Sequence, residues 1–174
     1  MPNTGFSKHA AFTSSFSITY SPWLKYMLIN EVRKVIPSSS PTFSLGYFNG
    51  MQLLDSELDF HRLELGAKHL FEIPGGRSVM AELNAGHFIG KSKLYFPDFK
   101  HFMGNESPIV AAGPVGNYRL LEYYRLSTDE KYASAHVHYH FRRLLLTRLL
   151  PLRMLGLKEN LFVNYLYTPH SNNY

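Results

Sequence analysis

Apolar and polar side chains alternate with period two in several stretches of this chain, and the apolar set carries no charge through the middle of those stretches. In the run that starts at Tyr132, Ala133, Ala135, Val137, Tyr139 and Phe141 share one face, while Ser134, His136, His138, His140 and Arg142 share the other. Successive residues of a strand point to opposite sides, so the pattern sets β-strands between an apolar phase and water. A strand of an outer-membrane β-barrel meets that description, and so does a strand of a soluble sheet with one buried face. The leading expectation is an all-β, antiparallel meander forming a transmembrane β-barrel or a partial barrel. The alternative is a soluble β-sheet protein binding an apolar ligand, in which the aromatic side chains point inward.

Length and composition narrow the choice. The 174 residues fit one domain, and a small membrane barrel needs roughly eight strands of about 9–11 residues plus turns. Aromatic residues make up 15% of the chain, which suits the interfacial girdles of a barrel and a strand-rich soluble sandwich equally well. Eighteen Lys and Arg face 13 Asp and Glu, but the cations are scattered beside acids rather than gathered in a stripe, so nucleic acid is not an expected partner. With no cysteine there is no disulfide framework, thiol nucleophile or thiolate metal site. No run of about 18 apolar residues exists, which excludes a transmembrane helix and leaves alternating barrel strands untouched.

Met1 is followed by Pro2, Asn3, Thr4 and Gly5 rather than by the basic segment and apolar core of a secretory signal. A barrel protein must cross the inner membrane before it reaches the outer one. Residues 1–174 are therefore expected to be a single β-barrel domain or a barrel fragment that lacks its natural start.

Strands are expected at Phe12 to Tyr20, Leu24 to Asn30 and Thr42 to Phe48, the last broken by Asn49-Gly50, and these three are read as a meander. A longer pattern covers Glu57 to Ile73, with its faces well separated after His61. The tight-turn signal Pro74-Gly75-Gly76 then returns the chain along Arg77 to Ile89. Gly90 to Gly116 reads as a long, folded-back loop carrying Tyr95, Phe96, Phe99 and Phe102. Asn117 to Leu126, Tyr132 to Leu144 and Asn160 to Tyr167 complete the strands, and the Leu-rich connector Leu144 to Lys158 is read as a helical turn at a membrane surface.

Four segments occur together in one order: Pro41-Thr42-Phe43-Ser44-Leu45-Gly46-Tyr47; Tyr95-Phe96-Pro97-Asp98-Phe99-Lys100-His101-Phe102-Met103-Gly104-Asn105-Glu106; Tyr123-Tyr124 followed by Ser127-Thr128-Asp129; and Leu150-Pro151-Leu152-Arg153-Met154-Leu155. In these the chain resembles the large Bacteroidetes-type outer-membrane proteins of unknown function that place a carboxypeptidase-regulatory-like β-domain ahead of a C-terminal barrel. The resemblance implies that this chain is part of the C-terminal barrel in the cell outer membrane, with the upstream domain and some strands lying outside it and with outer-membrane lipid and envelope proteins as its partners. It brings no enzymatic activity. Where that family tends towards His-His-Phe-Asn-Gly, this chain has Tyr139-His140-Phe141-Arg142-Arg143, so no role tied to adjacent histidines carries over.

Candidate chemistry is sparse. His136, His138 and His140 are the candidate metal ligands, because alternate strand residues point one way and imidazole binds zinc. Their Cα atoms are spaced about 6.5–7 Å per step, too far for all three to meet one ion without a bend. A polar row facing a lumen is the preferred reading, with no metal assigned. Glu64, Glu72 and Glu82 share faces with Arg62, Lys68 and Asn84, which fits cross-strand charge ladders along a wet interior better than an acid/base pair. Ser127-Thr128-Asp129 and Gly104-Asn105-Glu106 read as turns and loop-shaping residues. The expectation is a structural, anchoring or transport-related protein that is not an enzyme, with no catalytic residue, no cofactor-binding residue and no cofactor.

Overall fold

The computed structural model describes residues 10–36, 40–105, 117–119, 121–141 and 159–169. Six strands form one antiparallel sheet: β1 (Thr13–Tyr20), β4 (Thr42–Gly50), β5 (Asp59–Ile73), β6 (Arg77–Lys93), β9 (Lys131–Phe141) and β10 (Glu159–Tyr167), in that spatial order. β1 and β10 are its edges, so among the described residues the sheet is an arc and not a closed barrel. β2 (Lys25–Ile29) and β3 (Val32–Ile36) make a separate hairpin, and β7 (Gly104–Asn105) and β8 (Tyr118–Arg119) make a two-residue parallel pair. The expected all-β, antiparallel fold is the fold observed, and of a closed barrel or a partial one the described residues form an open sheet.

β5 and β6 pair from Ile73↔Arg77 to Asp59↔Lys93 around Pro74-Gly75-Gly76, as the sequence predicts. Gly75 and Gly76 take φ values of +90° and +74°, a region that residues with a Cβ enter only under strain. Arg77 Nη2 donates to the Pro74 carbonyl at 3.1 Å and closes the turn. Two register shifts near Phe60 and His61 leave Ile89 and Ser92 of β6 without a directly paired residue, which is why clean face separation starts only after His61.

Several boundaries differ from expectation. Asn49-Gly50 does not break β4, because Gly50 pairs with both Thr13 and Phe60. A Cβ on Gly50 would lie 2.6 Å from the Phe60 ring, so this glycine admits a close neighbour rather than a turn. β6 runs four residues past Ile89 to Lys93, and the expected loop starts at Leu94. Of the described residues within Asn117 to Leu126, only Tyr118–Arg119 form a strand, which does not join the main sheet. The first three expected strands are not a meander, since β1 pairs directly with the strand at Thr42–Gly50. The Leu144 to Lys158 connector and the end of the strand expected to reach Leu144 lie outside the described residues.

Registers across the sheet line up two unlike faces. On one, Tyr20, Phe43, Ala67, Leu83, Ala135 and Tyr165 form a single cross-strand row, and Phe71, Val79, Tyr139 and Leu161 form another. On the opposite face Thr42, Lys68, Glu82, His136 and Asn164 form a row. The apolar face is the exposed one: Leu65, Leu83 and Val163 are 60%, 57% and 55% exposed, against 4% for His136 and 5% for Tyr132.

The polar face is covered because β6 pairs directly with β9, although Leu94 to Glu130 intervene. That excursion forms a 3-10 turn at Phe96–Asp98 and a bridge between Lys100 and Thr128, whose backbone groups exchange bonds of 2.9 and 3.1 Å. Beside it, Leu58, Phe60 and Phe88 are the buried apolar cluster, flanked by Phe48, Leu94 and Tyr95.

Candidate functional site

The covered polar face holds the densest chemistry among the described residues. Glu64 on β5 points toward the cover, where Lys100 Nζ approaches its Oε1 at 2.8 Å and Arg62 Nε at 3.1 Å. Arg62 is held in turn by the Phe48 ring, 4.4 Å from its guanidinium carbon, and by Phe88 at 5.3 Å. Lys100 sits 5.3 Å over the ring of Tyr132. Opposite Tyr132 the strand carries Gly86, where any Cβ would run into that ring. Two cations around one carboxylate, with apolar ring faces between them, fix the cover to the sheet and leave little carboxylate reactivity.

Two rows along the same face, Lys68 pairs with Glu82 across strands at 3.7 Å, and Asn84 Nδ2 donates to Glu82 Oε1 at 3.1 Å. The Lys68 and Glu82 pairing is the cross-strand ladder expected from the sequence, whereas Arg62 and Glu64 interact along a single strand. The charged residue missed is Lys100, which stands 36 positions from Glu64 in a loop. The available signal was aromatics alternating with cations in a Pro- and Gly-containing loop, a composition that packs rather than waves in solvent.

The three histidines of β9 lie on the covered side, and each lies within hydrogen-bond distance of an asparagine of β10, His136 and His140 directly across and His138 diagonally. His136 Nδ1 lies 3.0 Å from Asn164 Oδ1, while His138 Nε2 and His140 Nδ1 lie 3.0 and 2.9 Å from the single Oδ1 of Asn160. His138 also stacks on Phe162, with centroids 4.3 Å apart. Among the described residues no group of three or more His, Asp or Glu is placed to hold a metal ion. The Asn160 amide bridges two rings that a shared ion would have to separate from it.

Phe102 and Tyr118 reach from the cover into the sheet. Phe102 packs edge-on against Tyr132 at 5.1 Å and against Tyr118 at 6.1 Å, and Tyr118 lies 4.8 Å from His136. Burial pushes the Tyr118 hydroxyl above its ordinary pKa, so it stays protonated. Between cover and sheet is a cavity of about 510 Å3 bordered by Glu64, Glu82, Lys100, Tyr118 and His136.

Ser127-Thr128-Asp129 does more than turn the chain. Ser127 Oγ lies 2.7 Å from His101 Nδ1, and His101 Nε2 lies 3.3 Å from the Pro97 carbonyl. Ser127 is 2% exposed, so the pair pins two parts of the cover together and presents no nucleophile to solvent. Burial, partly opposed by the Pro97 and Phe96 carbonyls, holds His101 below the usual histidine pKa. Of Gly104-Asn105-Glu106, the first two form β7, and Glu106 lies outside the described residues.

Together these features define an antiparallel β-sheet protein, apolar on its exposed side and charged on the side it covers with its own chain. Across residues 1–174 the chain matches the model of the C-terminal domain of a family of unknown function (DUF5686), and it belongs to that family. No curated protein and no solved structure matches it.

Proposed function

We propose that this chain is a membrane-embedded arc of an outer-membrane β-barrel, with a structural, anchoring or transport-related role and no catalysis of its own. The observation that carries the reading is the exposed face. On β6 that face passes from Arg77 through Val79, Ala81, Leu83 and Ala85 to His87, so ten residue steps separate its two basic limits. At about 3.3 Å per residue these span roughly 33 Å of strand, which a tilt near 40° reduces to about 25 Å, the height of a barrel's lipid-facing band. Aromatics stand towards both limits, Phe16 and Tyr47 on one side and Phe71 and Tyr139 on the other, and also at mid-band, where Tyr20, Phe43 and Tyr165 share the Leu83 row. Beyond the His87 limit the chain turns ionic, with Lys91 2.5 Å from Asp129 and Lys93 2.7 Å from Glu57.

Antiparallel pairing satisfies the backbone groups that hydrocarbon cannot, and the residues facing the cover line a wet interior. The finer identity follows the sequence resemblance: a Bacteroidetes-type outer-membrane protein whose barrel follows a carboxypeptidase-regulatory-like domain. Fractionation of cells making the protein tests the reading. It should pellet with outer membranes, need detergent for extraction, and migrate differently in gels before and after boiling. Full solubility without detergent would overturn it.

The soluble alternative draws on one observation, a hollow of about 710 Å3 on the apolar face. Alanines 67, 85, 133 and 135 line its floor, and Tyr20, Phe43 and Tyr165 stand around it. A detergent-free monomer that takes up a fatty acid there would favour that alternative.

A further inference from the structure

We infer that the β2–β3 hairpin is a lipid-docking element that sits in the headgroup region of an anionic leaflet. The inference rests on the membrane reading above and adds the contact that this segment makes.

The hairpin stands apart from the six-stranded sheet as a sheet of two strands. An isolated pair of strands is marginal in water, because nothing covers either face. Here both faces are rich in large apolar side chains: Tyr26, Leu28 and Val35 on one, Met27, Ile29 and Val32 on the other. All six are exposed, Leu28 by 74%, and Trp23 at the hairpin's base is 67% exposed. A docked protein covers one face of such a ribbon. Immersion in a lipid interface covers both, which is what this distribution of side chains requires.

Charge identifies the leaflet. Lys25 and Lys34 lie on the face of Met27, and Arg33 lies on the face of Tyr26, against the single acid Glu31 in the turn. The Arg33 guanidinium carbon sits 5.3 Å from the Tyr26 ring centroid, so the cation is held beside an aromatic instead of being directed away from the apolar surface. Long basic side chains can bury their stems in the acyl boundary and keep their charges among phosphates. Tryptophan and tyrosine favour the same depth. The base is fastened at the start of β4 by the Trp23 backbone N–H donating to Ser40 Oγ at 3.2 Å and by the Ser21 and Thr42 hydroxyls 3.0 Å apart.

Trp23 is the only tryptophan in the chain, so its fluorescence reports this region without labelling. The chain is refolded into phosphatidylcholine vesicles with or without phosphatidylglycerol, using lipids brominated near the headgroup or near the acyl terminus. Trp23 should be quenched more by the shallow bromines than by the deep ones, and more strongly in the anionic vesicles. R33Q/K34Q should abolish the difference between the two lipid compositions while leaving the β-sheet circular dichroism unchanged. Insertion of the sheet, judged by protease protection, with Trp23 unquenched at either depth would overturn the inference alone and leave the hairpin to a protein partner. Failure of the sheet to insert would overturn the membrane reading and the inference with it.

Discussion

Val137 and His136 are neighbours in β9, yet one is 38% exposed and the other 4%. Between the two faces of this sheet the usual relation of polarity to burial is reversed: hydrocarbon side chains stand outside, while charge, imidazole and hydroxyl lie under a cover. Among the described residues nothing covers the apolar face, where Leu65, Leu83 and Val163 stand exposed. The polar face is held by specific contacts, with Lys100, Arg62 and Glu64 at its centre. A one-sided sheet does not reveal from its period which side is sealed; the seal depends on where the rest of the chain goes.

The comparison predicts unequal tolerance to charge. Val137→Arg puts a cation in the middle of the exposed band, at a cost of about 2–4 kcal/mol if that band lies at the bilayer midplane. His138→Arg adds a charge to a face that already carries several. Folding yields in lipid vesicles should fall steeply for the first variant and little for the second, and equal yields would mean that the sheet has been read inside out.

Loss of the central ion pair is the next largest effect. Lys100→Met leaves Arg62 as the one cation beside Glu64 among the described residues and should cost about 1.5–3 kcal/mol, the range for a hydrogen bond to a charged group. Limited proteolysis should then cut the Leu94 to Met103 segment faster than in the parent while the β5–β6 hairpin stays protected. Unchanged cleavage would show that the cover is held by its aromatics instead.

Gly86→Ala tests the packing beneath Tyr132. The added Cβ meets that ring and should destabilise by roughly 1–3 kcal/mol, as overpacking does. Gly90→Ala serves as its control, because a Cβ there has only the His61 ring within reach, at 3.7 Å. Similar denaturation midpoints for both variants would remove Tyr132 as a packing anchor.

The smallest effect is a pH dependence of the cover. Burial lowers the His101 pKa on folding, so its unfolded form binds protons more readily. Its contribution is fully present above the unfolded value near 6.5. That contribution declines as pH falls below this value and is gone once pH passes the lower folded pKa. Hydrogen-exchange protection factors around Ser127, taken relative to the intrinsic amide rate at each pH, should therefore fall on acidification through this window, and His101→Gln should flatten the response. A parent chain whose protection factors show no such acid-side fall would contradict it.

Much of the fold could be read from the residues. The β5–β6 hairpin was legible because Pro74-Gly75-Gly76 punctuates two long alternating runs, and β9 because its two faces differ so sharply in chemistry. β3 was missed: its turn is Asn30-Glu31, with φ values of +49° and +64°, and glutamate gives no sign that it will adopt a left-handed backbone. Asn49-Gly50 misled for the opposite reason, since a turn-forming pair here serves a close approach within a strand. At the candidate site, the Lys68 and Glu82 pairing followed from facing strands, but Lys100, Phe102 and Tyr118 did not. A loop residue has no period to betray its direction.

By itself the sequence determined that strands would form, where most of them lie, and which side chains share a face, because a strand's side-chain period is a local property of the backbone. Tertiary structure alone decided that β1 would pair with β4, that β6 and β9 would meet across a long excursion, and that this excursion would cover the charged face. Those outcomes depend on contacts between residues tens of positions apart, such as Glu64 with Lys100 and Gly86 with Tyr132, and no local periodicity encodes them.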